Sequence, residues 1–224
     1  MNNVFDILGP IMIGPSSSHT AGATRIGLMA RTLLGEQPIK AEILLHGSFA
    51  KTYRGHGTDR ALVAGILGMR PDDERLRNAL TIAREEGLAI TFTPTEMVDA
   101  HPNTAKIILT SADGRTSTLI GASVGGGNIR ITSINDMAVT LNGEFFTLIV
   151  THRDTPGAIA EVTDVLTEYN ANICNFHLSR KAKGGEAVMS IEVDRIETED
   201  ITALCHDIED LRNIYACIAV PTIS

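Results

Sequence analysis

Apolar residues recur along this chain with two different periods. Ile26, Met29, Ala30, Leu33 and Leu34 fall at i, i+3, i+4, i+7 and i+8, the stripe of an amphipathic helix over residues 22–34 that ends near Gly35 and Pro38. Ile39, Ala41, Ile43 and Leu45 then alternate, as on a strand with one buried face. Leu62, Val63, Ile66 and Leu67 return to helical spacing, with Thr58 or Asp59 placed to cap the helix and Gly68 to end it. The run RPDDERLRNALTIAREEG predicts one further helix, with Pro71, Asp72, Asp73 and Glu74 in its first turn, Leu76, Ala79, Leu80 and Ala83 as its stripe, and Gly87 after its end. From residue 88 to 150 the period is two. Residues 105–110 and 116–120 flank Asp113-Gly114, and residues 129–141 and 145–151 flank Asn142-Gly143, so a hairpin is expected at each pair.

The remainder reads as strand, helix, strand, strand, helix, strand. FFTLIVTH is an apolar strand, DTPGAIAEVTDVLTEYN opens a helix at a Pro-Gly turn, and ANICNFHLSR is the second strand. Ala187, Met189, Ile191 and Val193 alternate, TEDITALCHDIEDL carries Ile201, Leu204, Cys205 and Ile208 at helical spacing, and Ile214, Ala216, Ile218 and Val220 alternate again. This order is the split βαβ, ferredoxin-like motif. The expected architecture is therefore α+β in two domains, residues 1–144 and residues 145–224.

Composition narrows the partners. The 224 residues carry a net charge of −8, and the excess is uneven: residues 1–144 hold 14 acidic and 13 basic side chains, residues 145–224 hold 13 and 6. Nucleic acid and anionic membranes both select a basic face, so neither is an expected partner. The three cysteines, Cys174, Cys205 and Cys217, have no metal-binding spacing, and no metal site is expected on this chain. The start MNNVFDILG has neither a basic nor a long apolar segment, and no run of 18 apolar residues occurs, which makes the cytoplasm the expected compartment.

Polar chemistry concentrates in a few places. In GPSSSHTAGATRIG, Ser17 or Ser18 can cap the following helix, whose first N–H groups are unsatisfied and carry partial positive charge. The neighbouring hydroxyls and His19 supply further donors at the same point, which suits a carboxylate or phosphate. A simple serine cap and an anion grip are both consistent with these residues. Gly125, Gly126 and Gly127 likewise fit either an anion nest, with Asn128 beside it, or a bulge between two strands.

Four stretches in order, GPSSSHTAGATRIG at 14–27, GHGTDRALVAGILG at 55–68, HPNT at 101–104 and GASVGGGNIRI at 121–131, resemble the motifs of the iron–sulfur-dependent L-serine dehydratases. The resemblance covers residues 1–144 as the family's beta portion, which is also similar to an allosteric substrate-binding domain of some 3-phosphoglycerate dehydrogenases. Residues 145–224 resemble an ACT domain. A beta portion followed by an ACT domain, with no alpha portion, resembles the beta chain of the two-chain enzyme.

The resemblance implies elimination of water from L-serine, with a 4Fe–4S cluster held by a separate alpha chain and K⁺ as a further candidate cofactor. It makes Ser16, Ser17, Ser18 and Thr20 candidate contacts to the serine carboxylate, and His19 and His56 candidate catalytic groups. His101 and Asn103 in HPNT are candidate substrate contacts, the alternative being an ordinary proline turn. In the ACT portion it implies a homodimer. His152, Asp154 and Asn172 are candidate effector contacts across its interface, the alternative being a module for dimerisation only. A regulatory amino-acid-binding protein without catalytic activity is the alternative for the whole chain.

Overall fold

Alternating burial along the strands of the first unit sorts its side chains onto two faces of a sheet. The computed structural model describes residues 16–194, 196 and 201–223. Gly14-Pro15 of the opening motif and Thr198–Asp200, expected at the start of the last helix, lie outside the described residues. The chain divides into two compact units, Met1–Asp136 and Met137–Ser224.

In the first unit the elements are α1 (Ala23–Leu34), β1 (Lys40–Leu45), α2 (Gly47–His56), α3 (Thr58–Ile66), α4 (Ala79–Glu85), β2 (Ala89–Pro94), β3 (Thr104–Thr110), β4 (Thr116–Gly125) and β5 (Asn128–Ile134). The strands lie in the order β2-β1-β3-β4-β5, with β1 and β2 parallel and the other neighbours antiparallel. Ala41, Ile43, Leu45, Ile107, Leu109, Leu119 and Ile131 are buried on the helix-bearing face together with Ile26, Met29, Leu62 and Ile66. Full burial of one such aliphatic side chain stabilises by about 1.5–3 kcal/mol.

Two glycines set the helix packing. A Cβ on Gly27 would lie 2.2 Å from the Leu62 carbonyl oxygen, and one on Gly65 would lie 2.0 Å from that of Thr24. The backbones of α1 and α3 therefore touch, which fixes the start of α1 against the second half of α3.

Three local expectations change. The segment 47–56 is a helix, α2, whose first N–H groups find a partner far along the chain: the Pro102 carbonyl accepts from Ser48 N at 2.7 Å and from Phe49 N at 3.3 Å. The single helix expected over RPDDERLRNALTIAREEG is split. Asp73 caps a 3₁₀ turn, Glu74–Asn78, that leads into the shorter α4. Thr58 and Asp59 do not cap α3; the left-handed Gly57 precedes it and no side chain caps it.

The second unit contains β6 (Met137–Leu141), β7 (Phe146–Arg153), α5 (Ala158–Glu168), β8 (Ile173–Arg180), β9 (Glu186–Val193), α6 (Ile201–Glu209) and β10 (Ile214–Val220). Its four-stranded antiparallel sheet has the order β10-β7-β9-β8, and α5 and α6 bury Val162, Leu166, Leu204 and Ile208 against Leu148, Val150, Met189 and Ile191. This is the ferredoxin-like order read from the sequence. Among the described residues β7 pairs with β9 and β10 and not with β6, so Asn142-Gly143 does not close a hairpin. The strand expected over 129–141 is broken at Asn135 and Asp136, whose φ angles are 50° and 62°. The unit boundary follows that turn, ahead of residue 144.

Candidate functional site

The opening motif folds as one polar turn running into α1. Ser16 is its cap: its Oγ accepts from His19 N at 3.3 Å, and its carbonyl accepts from Thr20 N at 2.8 Å. The cap is thus Ser16 rather than Ser17 or Ser18, because the first turn, Ser17–Gly22, is a wider π-type turn. Such turns are frequent at functional sites. The Ser17 and Ser18 hydroxyls are half-buried and have no hydrogen-bond partner among the described residues.

His19 is buried at 8% exposure and lies between three elements. Its Nδ1 is 3.4 Å from Ser16 Oγ, and its Nε2 is 3.2 Å from Thr52 Oγ1 and 3.4 Å from Ser48 Oγ. Thr52 Oγ1 donates its own proton to the Ser48 carbonyl at 2.8 Å, so it can only accept from His19. The network thereby assigns the Nε2–H tautomer, with Nδ1 accepting from Ser16. Burial holds the imidazole below the ordinary histidine range, and the neighbouring His56 adds to the shift. The His56 ring, exposed at the end of α2, is 4.8 Å from the His19 ring centroid in an edge-to-face arrangement, and Phe49 flanks the other side at 5.3 Å.

Two further motifs adjoin this pair. Pro102 of HPNT supplies the carbonyl that anchors α2 and so places Ser48 and Thr52 under His19. Within that motif His101 Nδ1 accepts from Asn103 N at 3.1 Å, which closes the turn. Asn103 is tied to β4, its carbonyl accepting from Ser123 N at 3.0 Å and its side-chain amide lying 3.5 Å from the Ser123 carbonyl. Ser123 is fully buried against Gly22, and its Oγ has no hydrogen-bond partner among the described residues. His101 itself does not join the imidazole pair. It is exposed and lines a separate cavity of about 730 Å³ with Thr104, Lys106, Arg130 and Thr132.

The triple glycine forms the β4–β5 turn. Gly125 pairs with Asn128, Gly126 and Gly127 have φ of 61° and 86°, and the register shifts between Ser123 and Gly125. A two-residue left-handed turn after a bulge is the strand-joining alternative of the two read from the sequence. The Gly127 carbonyl accepts from Arg25 Nη1 at 2.8 Å, which ties the turn back to α1.

Ser48 and Thr52 lie outside the motifs, and Ser123 and Asp59 lie inside them without being candidate site residues. Ser48, Thr52 and His56 stand at i, i+4 and i+8, a polar stripe along one helix face, and that spacing was the available signal. Asp59 is 8% exposed; burial pushes its carboxyl up, while the Arg60 amide, at 2.8 Å from Oδ1, opposes the shift.

In the second unit the candidate contacts separate. Asp154 Oδ2 accepts from Arg180 Nη1 at 2.9 Å and from Gly184 N at 3.0 Å, latching the loop after β7 to the β8–β9 hairpin. Asn172 Nδ2 donates to Asp194 Oδ2 at 2.7 Å beside the other end of β8. At the rise of an extended strand these positions are roughly 20–25 Å apart in one chain. His152 is 2% exposed, its Nδ1 donates to the Arg153 carbonyl at 2.8 Å, and its Nε2 has no partner among the described residues.

A polar site at a helix start in an α+β unit, followed by a βαββαβ unit, defines a two-domain protein built to handle a small polar molecule. The family model for the serine dehydratase beta chain matches residues 3–133, and that for the ACT domain matches residues 146–218. The chain is 46% identical to the probable L-serine dehydratase, beta chain, of Bacillus subtilis (strain 168), over 86% of this chain and 87% of that one. It is 38% identical to the L-serine dehydratase, beta chain, of Peptoniphilus asaccharolyticus, over 92% and 94%. A D-3-phosphoglycerate dehydrogenase of Synechocystis sp. is 25% identical over 86% of this chain and 35% of its own length. The chain belongs to the serine dehydratase beta-chain family.

The residues present do not fit an iron–sulfur cluster. Cys174 is exposed on β8, Cys205 and Cys217 lie apart from it in the core of the second unit, and among the described residues no three His, Cys, Asp or Glu side chains converge as metal ligands. No helix among the described residues is long and apolar enough to cross a membrane.

Proposed function

We propose that this chain is the beta subunit of a two-chain L-serine dehydratase, which removes water from L-serine and releases pyruvate and ammonia, and that a separate alpha chain carries the iron–sulfur cluster. The observation that carries the reading is the paired imidazole of His19 and His56, with His19 oriented by Ser16, Ser48 and Thr52.

Elimination from serine needs the α-proton removed and the carboxylate held still. Both nitrogens of His19 are engaged by hydroxyls, so His19 is the positioning member of the pair. His56 is exposed, and it takes the α-proton in this reading. Burial disfavours a charge on His19, so it does not set a second cation beside His56. The Ser17 and Ser18 hydroxyls, at the positive end of this helix, hold the serine carboxylate. The product of elimination, an aminoacrylate, tautomerises and hydrolyses to pyruvate and ammonia.

The test is anaerobic reconstitution with the alpha chain, iron and sulfide, measuring pyruvate released from L-serine. Activity is expected from the two chains together and from neither alone. Equal turnover by the alpha chain alone overturns the proposal. The ACT unit is then an effector or dimerisation module, and equilibrium dialysis of L-serine against the full chain separates those two roles.

A further inference from the structure

Cys205 and Cys217 take no part in the site described above. Cys205 is half-buried on α6 and Cys217 is 7% exposed on β10. Both pack into one apolar cluster with Leu204, Ile208 and Val150. Glu209, one turn after Cys205 on the same face of α6, accepts from Cys217 N through Oε1 at 2.9 Å. That contact pins this turn of the helix over Cys217, and Cys205 packs against the same apolar cluster that holds Cys217. The third cysteine, Cys174, is exposed on β8 and belongs to neither contact.

We propose that Cys205 and Cys217 are an oxidisable dithiol, a modification site at which a hydroperoxide converts the pair to a disulfide joining α6 to β10. The step proceeds in two parts. The Cys205 thiolate attacks the terminal peroxide oxygen, the O–O bond breaks, and Cys205 becomes a sulfenic acid as an alcohol, or water from hydrogen peroxide, departs. The Cys217 sulfur then attacks Cys205 sulfur, the S–S bond forms, the S–O bond breaks and water leaves. Two thiols have lost two electrons and two protons, and one hydroperoxide has been reduced.

The surroundings give the two sulfurs different roles. The hydrogen bond from Cys217 holds the Cys205 thiol below its ordinary range, and the same contact, with burial, pushes Cys217 up. Cys205 is also the more exposed of the two, so it is the sulfur that meets the oxidant, and Cys217 resolves the sulfenic acid.

The experiment exposes the reduced full chain to hydrogen peroxide at neutral pH, alkylates the remaining thiols and digests with trypsin. Arg212 lies between the two cysteines, so they fall on separate peptides. The expected result is a linked pair of peptides, two hydrogens lighter than their sum, reversed by dithiothreitol and undiminished in Cys174→Ser. Cys205→Ser and Cys217→Ser each lower its yield by at least about tenfold, and in Cys217→Ser a 1,3-dione probe traps sulfenic acid at Cys205. Sulfinic or sulfonic acid at Cys205 with Cys217 still alkylatable overturns the proposal. So does oxidation confined to Cys174. The wild-type peptide map decides the matter even where a variant fails to fold.

Discussion

The two units each bury a histidine, and they use it differently. His19 is partnered at both ring nitrogens by hydroxyls from two elements and stands 4.8 Å from a second imidazole. His152 bonds its own neighbour's carbonyl through Nδ1, and its Nε2 has no partner among the described residues. In the first unit, polar side chains from distant segments converge on one ring. In the second, Asp154 and Asn172 are engaged in separate latches at opposite ends of a strand. Convergence of polar groups on one titratable side chain marks a working site better than the presence of polar motif residues does.

The sharpest way to break that contrast is to remove the exposed imidazole. His56→Ala is expected to lower kcat of the reconstituted enzyme by roughly 10²–10⁴-fold, the usual contribution of a proton-transfer group. Asp154→Ala is expected to leave kcat unchanged. Equal losses from the two would erase the distinction between the units. The same variant carries a pH signature. Burial and His56 both hold His19 low, so its NMR titration lies below the ordinary histidine range and moves upward in His56→Ala. The linkage follows: the unfolded chain binds the proton more readily, so the stability His19 contributes is present above pH 6.5 and is lost as pH falls from there through the folded value.

A second test asks whether the first unit's geometry depends on its tight helix crossing. Gly65→Ala inserts a Cβ 2.0 Å from the Thr24 carbonyl, a backbone atom that cannot swing aside. Overpacking of this kind costs about 1–3 kcal/mol. Hydrogen exchange is expected to quicken across α1 and α3 and to stay unchanged in β7–β10. Uniform loss of protection in both units would show that they unfold as one.

Much of this architecture was legible before the structure. The second unit's strands and helices follow the apolar period closely because each element buries one face in a single core, so pattern and fold agree. The site was legible only in part. The segment containing α2 has Phe49 as its one fully buried side chain and shows no apolar stripe, so its helix went unread along with Ser48 and Thr52. Its cap is a carbonyl from Pro102, and no local pattern announces a partner so far along the chain. The turn at Asn135-Asp136 carries no glycine to mark it, and Asn and Asp reach the left-handed region there instead.

A finer cut sharpens the role of the hydroxyls around His19. Thr52→Val keeps the shape of the side chain and removes the oxygen that accepts from Nε2. Loosening one orienting hydrogen bond is expected to lower kcat by about tenfold with KM little changed. Thr52→Ser keeps the hydroxyl and is expected to restore most of the rate. Failure of the serine variant to rescue would mean that the methyl contact, not the hydrogen bond, is what matters.

The smallest expected effect lies in the second unit and concerns Asp154. The Gly184 amide, followed by the Arg180 guanidinium, holds its carboxyl below the usual carboxylate range. A group held low in the folded state contributes stability that is fully present above its unfolded value and is lost as pH falls through the folded one. Asp154→Asn therefore matters near neutral pH and ceases to matter in acid. Thermal melts of the two proteins should differ at pH 7 and converge as pH drops below the ordinary aspartate range. Because the carboxylate is at the surface and solvent screens it, the gap at pH 7 is expected to be small. L-serine binding by the full chain is the discriminating readout. A latch predicts that Asp154→Asn shifts the melt and leaves binding alone, whereas an effector contact predicts a weakened affinity whatever the melt does.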